Sequence, residues 1–197
     1  MNIKCFFIEP SGMTKVYARR YSSGSNCVKN GYHDSQLFVG EFPTIKDPQG
    51  WRENIPVPEG TVFPTHCQCG YEFTGTDNKQ SFNEEIYICK ETGERMTLRA
   101  AKVGAIWRAW WYEDVEWLRG IDGKSYVCQT PGGEWNIDSR ASNCTKPNDL
   151  VHKCWCRHGE APNFTVNKNG NTCSAGAGSI AIGNYHGFLI NGELTNC

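Results

Sequence analysis

Tyr185-His186-Gly187-Phe188-Leu189-Ile190-Asn191-Gly192-Glu193-Leu194 reads as two extended runs joined by Asn-Gly. That dipeptide tolerates the left-handed backbone a tight hairpin turn demands, so the stretch predicts an antiparallel pair. The same grammar recurs upstream. Ser125 to Gln129, the turn Thr130-Pro131-Gly132-Gly133 and the run Glu134-Trp135-Asn136-Ile137-Asp138 predict a second hairpin. Phe164 to Asn167 and Thr172 flank Lys168-Asn169-Gly170-Asn171 and predict a third.

Working outward, Ala105 to Tyr112 is aromatic and β-prone, and four of the seven tryptophans lie between positions 107 and 117. Glu85 to Cys89 is a strand candidate, and Thr97-Leu98-Arg99-Ala100-Ala101 caps and begins one short helix. Residues 1 to 22 predict a hairpin, with Ile3 to Ile8 and Thr14 to Tyr21 about a turn at Glu9-Pro10-Ser11-Gly12. From 22 to 62 the chain is rich in Gly, Ser, Asn and Pro. Long loops are expected there, with a short strand at Ser35 to Glu41. The expected fold is mainly β, or α+β with little helix, built of antiparallel hairpins and long loops around an aromatic core. Composition shifts near residue 60, which suggests an N-terminal hairpin and loop region over 1–60 and a Cys/His-rich mainly-β region over 61–197; one compact domain overall is the alternative.

Composition narrows the function classes. With 197 residues and 39% hydrophobic positions, the chain can bury a core without covalent staples. A formal net charge of -1 lacks the electrostatic footprint of a nucleic-acid or anionic-membrane binder, and no apolar run has the length of a membrane span. Neither nucleic acid nor membrane is expected as a partner. The first ten residues lack a signal-peptide pattern, so the expected location is the host cytoplasm or a virion. Eleven cysteines cannot all pair within one chain, and a reducing compartment favours metal ligation, catalysis or free thiols over bridges.

Five of those cysteines and three of the five histidines lie between Asn143 and Cys197. Thiolate and imidazole are the ligands of a borderline-soft cation such as zinc. The leading ligand set is Cys144, His152, Cys154 and His158, with Cys156 as a substitute for any of them. The Pro147-Asn148-Asp149 loop lies between the first two. A second, weaker site would use Cys67 and Cys69 of the knuckle-like Cys67-Gln68-Cys69-Gly70, with Cys89. The plainer alternative is buried thiols packing as small hydrophobes, and Cys5, Cys27 and Cys128 read that way. Separately, Cys173 and His186 could be nucleophile and base, with Gly176, Gly178 and Ser179 in a turn whose N–H groups hold an anion.

Several of these stretches carry a resemblance. Trp135 to Cys144, Cys154-Trp155-Cys156-Arg157-His158-Gly159, Thr172 to Ile180 and Tyr185 to Leu189 resemble a family of uncharacterised bacteriophage and prophage proteins. Cys67 to Phe73, Glu91 to Glu94, Gly104 to Trp107 and Gly31 to Asp34 extend the likeness over most of the chain. The family has no assigned activity. Ser179-Ile180, Tyr185 to Gly192 and Asn196-Cys197 also resemble a bacterial domain of unknown function suspected of binding metal. That domain has a Cys before its His, where this chain has Tyr185. Together these readings imply a phage-encoded, non-enzymatic, zinc-stabilised protein that binds a host or virion protein. The alternative is a Cys/His thiol hydrolase or acyl transferase centred on Cys173 and His186.

Overall fold

The computed structural model describes residues 2–22, 27–29, 31–175 and 178–197. The protein is mainly β, with strands over 43% of the chain and only short helical turns. Its strands are β1 (Asn2–Lys4), β2 (Phe6–Ser22), β3 (His33–Pro43), β4 (Asn78–Cys89), β5 (Arg95–Thr97), β6 (Ala105–Arg108) and β7 (Tyr126–Thr130). They continue with β8 (Gly133–Asn136), β9 (Cys156–His158), β10 (Thr165–Asn167), β11 (Ile180–Ile182), β12 (Tyr185–Ile190) and β13 (Glu193–Asn196). The helix expected after Thr97 is one 3-10 turn, Leu98–Ala100. Among the described residues no helix is long and apolar enough to cross a membrane.

The chain folds as two units. The first takes residues 1–9, 88–94 and 100–197, and the second takes 10–87 and 95–99. Residue 60, where composition changes, lies inside the second.

In the first unit, β12 and β13 form the expected hairpin, with Leu189 opposite Leu194. Asn191 and Gly192 supply the turn at φ 48° and 74°. β11 and β1 flank this hairpin, giving the order β1-β13-β12-β11. β7 and β8 form the second expected hairpin, and β6 pairs antiparallel with β7. Phe6 and Phe7 pair in parallel with Ala105 and Ile106. The core is aromatic and aliphatic: Ile106, Trp135, Ile137, Phe164, Val166, Tyr185, Leu189 and Leu194 are buried together. Trp107 is also buried, whereas Trp117 is exposed, so the tryptophans near 107–117 are not one core cluster.

Two hairpin expectations are corrected. Residues 6–22 form one continuous strand, and β1 pairs with β13 instead of turning back on its neighbour. Pro10 fixes an extended φ that a strand accepts, and the Ser11 hydroxyl donates to the Ile86 carbonyl at 2.7 Å. Tertiary pairing thus overrides a local turn signal. Similarly, β10 pairs with β9 and not with the segment after Gly170.

The second unit is carried by β2 from Pro10 onward. It pairs antiparallel with β3, from Met13 opposite Pro43 to Ser22 opposite His33. Its sheet neighbours also include β4, which is followed by β5. Residues 44–77 form no strand or helix and cross the unit with only isolated bridges at Lys46–Arg52 and His66–Glu72.

Candidate metal centres

Among the described residues, two groups of four Cys/His side chains each bring one ligand atom per residue within 4.8 Å of the others. Each group is able to hold a metal ion. One lies in each unit, and no disulfide joins any of the eleven cysteines.

The first group is Cys144, His152, Cys154 and Cys173. Its geometry begins with the Pro147-Asn148-Asp149 loop, which doubles back on itself. The Asp149 carboxylate accepts the backbone N–H groups of Val151 and His152 at 3.1 and 3.2 Å. Arg140 donates to the Asp149 carbonyl at 2.7 Å and to the Pro147 carbonyl. That fold buries His152, whose Nδ1 lies 2.7 Å from the Asp149 carbonyl oxygen. A carbonyl can only accept, so Nδ1 carries the proton and Nε2 keeps its lone pair. Nε2 lies 3.2 Å from Cys144 Sγ and 3.8 Å from Cys154 Sγ. Cys173 Sγ completes the group, 3.7 Å from Cys154 Sγ.

The ligand loops are tied to each other beside the group. Thr145 and Ser174 hydroxyls are 3.1 Å apart, and the Lys153 N–H donates to the Asn171 carbonyl at 2.8 Å. Lys168 Nζ donates to the carbonyls of Cys154 and Ala175. The thiols differ electrostatically. Burial pushes Cys154 up to about 11. Burial also opposes ionisation of Cys173, but hydrogen bonds from the Thr145 and Ala175 backbone outweigh it and bring this thiol down to about 6. A thiolate held by backbone donors is the ionisation state a metal requires.

Three of the four leading candidates therefore meet, and Cys173 stands where His158 was expected. His158 is exposed on β9, and its Nε2 is 2.9 Å from Asn167 Oδ1. Residues two apart in a strand share a face, so His158 lies on the Cys156 side of β9, but at the exposed end of the strand, whereas Cys156 is buried. Cys156 is not among the four ligands. It packs against Gly170, where a Cβ would overlap its sulfur. Cys173 and His186 do not form a pair, because His186 is exposed and its Nε2 lies 3.0 Å from Ser179 Oγ. Of the proposed anion-holding turn, Gly176 lies outside the described residues. Gly178 is left-handed at φ 87°, and Ser179 faces His186.

The second group is Cys27, His33, Cys67 and Cys69. Cys67 and Cys69 sit on a tight turn in which the Gly70 N–H donates to the Cys67 carbonyl and the Cys67 N–H to the Tyr71 carbonyl, both at 2.9 Å. Gly70, at φ 93°, allows the chain to reverse there. Cys89, the third residue expected at this site, is instead buried in β4, outside the group. Cys27 and His33 take part, although neither adjoins the knuckle in sequence. Cys27 Sγ is 3.9 Å from Cys67 Sγ, and His33 Nδ1 is 3.2 Å from Cys69 Sγ.

Fold and sites thus define a mainly-β protein with two Cys3His groups. No family model, curated protein or solved structure matches the chain.

Proposed function

We propose that this is a phage-encoded, non-enzymatic protein that acts by binding a host or virion protein, with a structural zinc ion at Cys144, His152, Cys154 and Cys173. One observation carries the reading: four protein ligand atoms converge, leaving no position for substrate or water. Closed four-ligand sites are structural, whereas catalytic zinc keeps an open position. One separation fits a zinc-class ion. A tetrahedral ion with metal–sulfur bonds of about 2.3 Å spaces its sulfurs about 3.8 Å apart, close to the 3.7 Å between Cys154 and Cys173.

Protein binding is supported by what the metal loop displays. Leu150 and Val151, between Asp149 and His152, are 59% and 75% exposed, two adjacent apolar side chains on a loop anchored by a ligand. The phage assignment rests on the resemblance of the stretches around Cys144, Cys154 and Cys173. The thiol-enzyme alternative has the lowered Cys173 pKa in its favour, but an adjacent metal-ligand role accounts for the same feature.

The test is affinity capture from an infected host with the wild-type chain and a Leu150→Asp, Val151→Asp variant. A discrete partner retained by the wild type and lost by a variant of unchanged zinc content supports the reading. Rapid alkylation confined to Cys173 in zinc-loaded protein, with turnover of a thioester that Cys173→Ala abolishes, supports the enzyme instead.

A further inference from the structure

We infer that Cys27, His33, Cys67 and Cys69 form a second, independent structural metal centre for a zinc-class divalent ion, ligated by His33 through Nδ1, the ring nitrogen opposite to that used by His152. The second unit needs such a constraint where it lacks regular structure. Among the described residues, the buried apolar side chains of 44–77 are Ile55, Cys67 and Phe73, and the last two share one small cluster with Cys27, against which Cys69 and Tyr71 pack. Most of that cluster is ligand sulfur. Three small thiols and two rings bury too little apolar surface to fix chain segments so far apart in sequence. A tetrahedral ion joining four side chains supplies that constraint.

The local structure prepares each ligand. The pairing of Ser22 with His33 sets His33 at the start of β3. Its neighbour Asp34 is clamped by Arg19 at 2.8 and 2.9 Å. The Tyr71 ring lies flat on the imidazole, 4.0 Å between centroids and 5° between planes, and fixes the ring orientation. Gly31, left-handed at φ 76°, closes a turn by exchanging backbone hydrogen bonds with Cys27. The Cys27–Cys67 separation of 3.9 Å fits the edge of a zinc–sulfur tetrahedron, about 3.8 Å. Three thiolates and a neutral imidazole leave one excess negative charge on a divalent centre, and Lys29 places its ammonium on the Gln68 carbonyl between two ligands, at 3.1 Å.

The inference requires zinc as the class of ion but not the first centre, since the two ligand sets lie in different units. Full-length protein, loaded with zinc and freed of excess by gel filtration, is expected to hold two ions per chain. Cys67→Ser and Cys173→Ser should each hold one, and the double variant none. Phe73→Leu, which perturbs the same small cluster without removing a ligand, should keep two and so separates ligation from packing. Histidine-selective long-range 1H–15N spectra should show His33 metallated at Nδ1 and protonated at Nε2, with the reverse for His152. One ion in the wild type that Cys67→Ser retains and Cys173→Ser loses would overturn this inference while leaving the first centre. One ion with the opposite pattern would uphold it and remove the first. A His33 ring that titrates freely in zinc-loaded protein would also overturn it.

Discussion

Cys173 takes the ligand position that spacing suggests for His158, and this makes a sharp test at the level of single side chains. His158→Ala removes one exposed hydrogen bond to Asn167. It should leave zinc content unchanged and shift stability by less than about 0.5 kcal/mol. Cys173→Ser should lose the ion and on the order of 4 kcal/mol, the range seen when a metal site is lost. Elemental analysis with denaturant melts distinguishes the two outcomes. Asp138 provides a second test. Burial pushes its carboxyl up to about 6 despite the pull of Arg157, against about 3.9 in an unfolded chain. The folded state therefore holds the extra proton between those values, so this contribution to stability is present below about pH 4 and lost as pH rises to about 6. Asp138→Asn cannot lose it. The stability difference, variant minus wild type, should rise across that window and then level off. A flat difference would remove the assignment.

At the level of elements, two turns pack backbone against backbone. A Cβ on Gly132, between β7 and β8, would overlap the Ile182 carbonyl, and one on Gly183 would crowd Gly132 itself. Gly132→Ala should cost about 3 kcal/mol, since the obstacle is main chain and cannot rotate away. The comparison is Gly123→Ala, where a Cβ meets nothing and only the left-handed φ of 75° is strained; it should cost about 1 kcal/mol. Equal losses in thermal melts would contradict the packing argument.

At the level of the whole molecule, the proposed ions would brace the irregular stretches that carry most of their ligands. Chelator should therefore expose 44–77 and 139–154 before the strands open. Limited proteolysis of chelated protein is expected to cut first in those segments, and zinc should restore protection. Cleavage spread evenly over the chain would contradict local metal control. No binding to DNA or RNA is expected in gel shifts at physiological salt. The net charge is -1, and Arg19, Arg95, Arg108, Arg119 and Arg157 are each already paired with a carboxylate. A salt-sensitive micromolar complex would refute this.

Local chemistry in the sequence determined the β class, the hairpins at Thr130–Gly133 and Asn191–Gly192, and three residues of the first metal group. In each case the signal lies within a few residues: turn glycines, Asn-Gly, and thiols beside imidazoles. Tertiary structure alone decided that Pro10 and Gly12 lie within one strand, because the pairing of β2 with distant segments outweighs a local turn preference. It also decided that Cys173 replaces His158 and that Cys27 and His33 join Cys67 and Cys69. Ligands that far apart converge only after β2 and β3 pair and the irregular loops close. No local period or spacing encodes that closure.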